Sequence, residues 1–197
     1  MASGLNECET LTDVCNVALQ TIGEAELTDV ETDKSNTAAV MRAVLVSVMR
    51  EVQGSAQWAE LVKTTTLSWT GNTSDTRGSS FFLPSDCMAV ISCGSDGATD
   101  YELESGRLYA DVSSPSDGLV CRYMRFSQKP AEWSDALLAL TVKLLAARAN
   151  AGITSNVQQS AQLEAQVWQV DRPRIMAQYL NRVRNVKRYD GSTRGYF

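Results

Sequence analysis

Apolar positions recur along this chain with a helical period, then a strand period, then a helical period again. Leu11, Val14, Cys15, Ala18, Leu19 and Ile22 follow the three-then-four spacing of one helix face. The spacing predicts a helix from about Leu11 to Ile22. Thr10 is its expected N-cap, Asp13 its reciprocal capping partner and Gly23 its left-handed stop. Ala38, Met41, Val44, Leu45, Val48, Met49 and Val52 form a second stripe and predict a helix from about Asn36 to Gln53. Asp33 or Ser35 can cap this helix, and Gly54 is its expected end. A short segment through Trp58 and Leu61 leads out of it.

From about Lys63 to Phe126 the period becomes two. Candidate strands are Thr64–Trp69, Ser80–Leu83, Met88–Cys93, Tyr101–Glu104, Arg107–Ala110 and Leu119–Phe126, separated by pieces rich in Gly, Ser and Asp. Glu104-Ser105-Gly106 reads as a tight hairpin turn. Pro130 marks the return to helix, and Trp133, Leu137, Leu138, Leu140, Thr141, Leu144, Leu145 and Arg148 give a wide apolar face that Gly152 is expected to close. A poorer, Gln-rich pattern starts near Ser155, with Val157, Ala161, Leu163, Glu164, Val167 and Trp168 in view. Pro173 interrupts it, because an interior proline costs a helix about 3 kcal/mol, whereas one in the first turn is tolerated, so Arg174–Arg188 is expected as a second segment set at an angle.

The fold class expected from this order is α+β. An antiparallel bundle of about four helices carries an inserted small antiparallel β domain, a barrel or a sandwich, and ends in an extended C-terminal arm. The expected boundaries are 1–62 for the first half of the bundle, 63–126 for the β domain, 127–188 for the second half and 189–197 for the arm.

Composition narrows the chemistry. The chain of 197 residues contains no histidine, which removes the commonest general base and metal ligand and rules out Ser-His-Asp and Cys-His catalysis. There is no GxxxxGK[ST] loop, no GxGxxG after a strand and no CxxC pair. No catalytic residue, metal ligand or cofactor is therefore expected, and the chain is read as no enzyme. The five cysteines are odd in number and irregularly spaced, as expected of buried free thiols in a protein made in a cytosol. No apolar run approaches the roughly 18 residues that span a membrane, and no signal peptide is visible, so no membrane partner is expected.

Net charge is −5, and its distribution is uneven. Glu7, Glu9, Asp13, Glu24, Glu26, Asp29, Glu31 and Asp33 occupy a stretch with no basic residue, while Arg172, Arg174, Arg182, Arg184, Lys187, Arg188 and Arg194 face Asp190 alone. Such polarity bears on partners. It is compatible with nucleic-acid binding by the basic end, with docking of opposite ends onto different or neighbouring subunits, or with a pair of solvated faces. With the aromatic end of the chain, it nominates Arg182, Arg184, Lys187, Arg188, Tyr189, Arg194, Tyr196 and Phe197 as partner-binding residues.

Several of these stretches, taken in order, resemble one family. Asn16-Val17-Ala18-Leu19-Gln20-Thr21-Ile22-Gly23-Glu24 is similar to the opening helix, and its Ile-Gly-Glu ending, of the head-to-tail adaptor proteins of short-tailed bacteriophages, often called tail tubular protein A. The likeness continues through the acid-rich linker and second helix to Trp58. It returns at Leu83-Pro84-Ser85-Asp86, from Tyr101 to Tyr109, and along the Leu/Ala helix from Ala131 to Asn150. The chain departs from the pattern in its fourth helix, at Pro173 and the Gln-rich face. The resemblance implies a structural virion protein at the head–tail interface, made in the host cytoplasm. It implies a homo-oligomeric ring, generally of twelve copies, that binds the portal protein above and the tail nozzle protein below. Genomic DNA passes through such a ring without sequence-specific binding. Other oligomeric connector or neck proteins, or a DNA-binding module using the basic segment, are the alternatives.

Overall fold

The first helix, α1 (Leu11–Ile22), is delimited by its own sequence. The Thr10 hydroxyl accepts from the Asp13 N–H, the Asp13 carboxylate accepts from the Thr10 N–H at 2.8 Å, and Gly23 closes the helix at φ 79°. In this computed structural model residues 8–72 and 78–189 are described, without the side chains of residues 72 and 184–189. The chain is mixed α+β, with helices and two small antiparallel sheets. It divides into a helical unit, Met1–Ser55 with Gln128–Phe197, and a β unit, Ala56–Ser127.

The helical unit contains α1, α2 (Asn36–Gly54), α3 (Asp135–Thr154), α4 (Val157–Gln166) and α5 (Arg172–Tyr189). Ser35, not Asp33, caps α2 through its hydroxyl. Gly54 is the last helical residue and Ser55 stays right-handed, so no left-handed stop is used there. Ser134 caps α3, which packs against α1, α2, α4 and α5 and buries residues on nearly all sides, from Leu137 to Asn150. This helix is long and apolar enough, by length and composition alone, to cross a membrane, although Lys143 and Arg148 interrupt every unbroken apolar run. Most of it is buried, as in a core helix.

Gly152 does not close α3. The helix runs on to Thr154 and ends at Ser155, φ 60°. A Cβ at position 152 would lie 2.8 Å from Cγ1 of Val40, so the missing side chain serves the approach of α3 to α2. In α4 the expected face is also corrected. Val157 and Ala161 are exposed, and the buried position is Ser160, whose hydroxyl donates to the Ala147 carbonyl on α3. Pro173 takes the first-turn position that the sequence allowed it. A π-helical segment (Val167–Asp171) widens the spiral just before it, and Pro173 stands as the second residue of α5, where a missing N–H is tolerated.

In the β unit the strands are β1 (Val62–Leu67), β2 (Trp69–Asn72), β3 (Ser79–Phe82), β4 (Cys87–Cys93), β5 (Glu102–Glu104), β6 (Arg107–Ala110) and β7 (Leu119–Arg125). One sheet has the order β1-β7-β4 and the other β2-β3-β6-β5. What reads as a single strand through Trp69 is therefore two, separated at Ser68 as the chain leaves one sheet for the other. Leu67, Cys93, Leu119, Cys121 and Tyr123 from the first sheet and Phe81, Leu108 and Ala110 from the second form one core. Leu119, Cys121 and Tyr123 are buried while Val120 and Arg122 are exposed, as period two requires, but Met124, on the same face as Val120 and Arg122, is buried too, so both faces of β7 are covered at that end. The β5–β6 hairpin turns through Ser105 (φ 50°) and Gly106 (φ 75°), a two-residue loop with both residues left-handed.

Candidate functional site

The acidic stretch between α1 and α2 is a shaped loop. Leu27 and Val30 are buried and anchor it. Asn16, on α1, holds Leu27 by both backbone groups, its Nδ2 donating to the carbonyl at 3.0 Å and its Oδ1 accepting from the N–H at 2.8 Å. Thr12 accepts from the Val30 N–H at 3.1 Å. Arg42, on α2, donates to the carbonyls of Val30 and Asp33. Within the loop, the Asp29 carboxylate caps the Glu31 N–H and the Asp33 carboxylate the Ser35 N–H, both at 2.7 Å. The Ser35 backbone and hydroxyl, with a smaller contribution from Arg42, hold the Asp33 carboxyl below its ordinary range. Glu26 and Glu31 are exposed, and Glu24, Asp29 and Asp33 are half-buried. The result is a negative ridge with its backbone pinned from two helices.

The positive counterpart is α5, which carries no acidic residue from Arg172 to Tyr189. Arg172 is committed internally, donating to the Ser55 carbonyl at 2.5 Å with its guanidinium 5.8 Å from the Trp168 ring centre. Arg182 is exposed and reaches Asp135 at the start of α3, with 3.1 Å between Nη1 and Oδ2. Arg182 stands on the rim of a groove of about 570 Å³ between α3 and α5. Ala136 and Ala139 line one side, and Ile175, Tyr179 and Val183 the other. The small alanines leave the gap open, and Met176 and Leu180 continue the apolar stripe of α5 beyond Tyr179. Of the nominated partner-binding residues, the structure places Arg182 at this groove. The side chains of Arg184, Lys187, Arg188 and Tyr189, and all of Arg194, Tyr196 and Phe197, lie outside the described residues.

An ion-pair cluster joins three helices of the same unit. Arg148 of α3 bonds Glu51 of α2 at 2.6 Å and Glu164 of α4 at 2.7 Å. Burial pulls the Arg148 pKa down, but the two carboxylates outweigh it and hold the guanidinium charged. Arg42 belongs to no motif, and the motif that begins at Asn16 and the stripe that includes Arg148 say nothing of the bonds these side chains make. Only their polar character within otherwise apolar helix faces marks them in the sequence.

Among the described residues no group of three or more Cys, Asp or Glu is placed to hold a metal ion. A depression of about 640 Å³ in the β unit is lined by Thr99, Asp100, Tyr101, Glu102, Tyr109 and Asp111 among others. Comparison with known protein families finds no match for this chain, and comparison with curated proteins finds none either.

Proposed function

We propose that this chain is a structural virion protein, a ring-forming head-to-tail adaptor that joins the portal of a phage head to the tail nozzle and forms part of the DNA conduit. One observation carries the reading. A single unit presents a pinned acidic ridge on one element and an acid-free basic helix beside an open apolar groove on another. A closed ring needs two different surfaces on each copy, one matching the other on its neighbour. Opposite charge sets the register of such contacts, and apolar burial supplies most of their stability. In this reading the helices form an antiparallel bundle, the segment beyond Tyr189 is an arm that reaches a neighbouring copy or the portal, and the protein acts through assembly without chemistry of its own. DNA slides past because phosphate contacts dominate nucleic-acid affinity, and a chain of net charge −5 supplies few of them. The engagement of Arg172 with the Ser55 carbonyl removes one cation from the alternative of a DNA-binding helix.

Native mass spectrometry of the chain alone, and after addition of the portal ring from the same genome, tests the proposal. Rings in either state support it, and their mass counts the copies. Arg182→Glu is expected to weaken assembly while leaving the far-ultraviolet circular dichroism unchanged. A monomer in both states, with a duplex-DNA affinity that falls steeply with salt, overturns the adaptor in favour of the DNA-binding module.

A further inference from the structure

Cys93 closes β4 and faces Cys121 directly across the antiparallel ladder with β7. On the next rung the Gly94 N–H donates to the Val120 carbonyl at 2.9 Å, while the Cys93 carbonyl turns away to accept from the Thr99 N–H at 3.0 Å. The Cys93–Cys121 rung is therefore a non-hydrogen-bonded one, where Cα atoms come within about 4.5 Å and side chains approach most closely. That separation lies at the near end of the roughly 4.4–6.8 Å that a disulfide spans. Both side chains belong to the core of the β unit, both are fully buried, and each thiol lies close enough to act on the other electrostatically. Cys87, half-buried at the other end of β4, stands opposite Arg125 instead.

We propose that Cys93 and Cys121 are a redox-modification site, a free dithiol that closes to a reversible cross-strand disulfide by exchange with a low-molecular-mass disulfide. One cysteine, as thiolate, attacks a sulfur of the oxidant. The oxidant's sulfur–sulfur bond breaks, a mixed disulfide forms and one small thiol leaves with a proton. The second cysteine then attacks its partner's sulfur in that mixed disulfide, forms the Cys93–Cys121 bond and expels the second small thiol. Two cysteine thiols are oxidised by two electrons, and one small disulfide is reduced to two thiols. The bond encloses β5 and β6 and ties β4 to β7.

Two features set its behaviour. The rung admits the bond without moving the two strands apart, so closure and reduction both leave the ladder in place. Access requires local opening, because neither thiol reaches the surface and burial pushes the Cys93 thiol up to about 12. Opening is available at β4, an edge strand whose pairing with β7 shifts register between Cys87 and Ala89 and again between Val90 and Ser92. This site is independent of the adaptor reading and stands or falls without it.

The test incubates the reduced full chain with oxidised glutathione, with and without sub-denaturing urea, and follows thiol titration and peptide mapping under non-reducing conditions. The expected result is loss of two of the five thiols with one peptide pair joined through Cys93 and Cys121. The reaction should run several-fold faster in urea and reverse with dithiothreitol. Cys87→Ser should oxidise as the parent does, and Cys93→Ser should not. Mapping of the unsubstituted chain decides the matter even where Cys93→Ser fails to fold. A bond through Cys87, a mixed disulfide confined to Cys87, or five thiols surviving in urea overturns the proposal.

Discussion

Asn16→Ala tests whether the acidic ridge is held by α1. The side chain makes two hydrogen bonds to Leu27, at 2.8 and 3.0 Å, both partly buried. Each is worth about 0.5–1.5 kcal/mol net, so their joint loss costs about 1–3 kcal/mol. Leu27 and Val30 remain buried anchors, each contributing roughly 1.5–3 kcal/mol. The loop should therefore loosen without coming away. Hydrogen exchange followed by mass spectrometry on the segment 24–34 should quicken by about 5-fold to 150-fold, the factor that 1–3 kcal/mol represents. The melting temperature of the helical unit should fall by a few degrees. Asn16→Asp sharpens the test. An ionised carboxylate still accepts from the Leu27 N–H but repels the Leu27 carbonyl, which raises the folded-state pKa of the new carboxyl. Its defect should be full at neutral pH and recede as pH falls and the protonated group regains a donor. Unchanged exchange in Asn16→Ala, or an Asn16→Asp defect that ignores pH, refutes the clamp.

Gly152→Ala places a methyl group 2.8 Å from Val40 Cγ1 and should cost about 1–3 kcal/mol in urea unfolding. Val40→Ala in the same chain should recover most of that loss, and strictly additive effects would contradict the close approach of α2 and α3. Arg148→Ala leaves Glu51 and Glu164 without their shared partner and removes packing between three helices. A loss of about 1–3 kcal/mol is expected, discounted because both carboxylates are more than a third exposed. An Arg148→Ala midpoint equal to that of the parent would count against it. For Asp13, burial acts to raise the carboxyl pKa, but hydrogen bonds from the Thr10 hydroxyl and the Thr10 and Glu9 amides outweigh it and hold the group below its ordinary 3.8. A depressed folded-state value contributes stability above pH 3.8 that is lost as pH falls through it. The acid-side loss should be shallower in Asp13→Asn, and identical acid profiles would remove the capping box from the account.

Local signals in the sequence were sufficient where one element carries its own instructions. Thr10, Asp13 and Gly23 delimit α1 through bonds made within the helix and its first flanking residues, and Ser105-Gly106 specifies its hairpin because both positions need positive φ. The mixed α+β class also follows from pattern alone. The acidic and basic blocks were equally legible, since charge is counted along the chain.

Tertiary structure decided what depends on residues far apart. Gly152 looks like a helix stop and is a contact point, because its neighbour Val40 is more than a hundred positions away. The first-turn place of Pro173 could be read from the sequence, whereas the π-helical widening over Val167–Asp171 that precedes it could not. Trp69 looks like the end of one strand and begins another, because period two says which face a residue occupies and nothing about which sheet. Asn16, Thr12 and Arg42 turn a run of acids into a fixed ridge, and Ala136 with Ala139 opens a groove beside Arg182. A polar side chain inside a helix stripe carries no record of the backbone it will hold. Only packing, which brings α1 and α2 onto the loop and α5 beside the start of α3, supplies the partner and with it the surface.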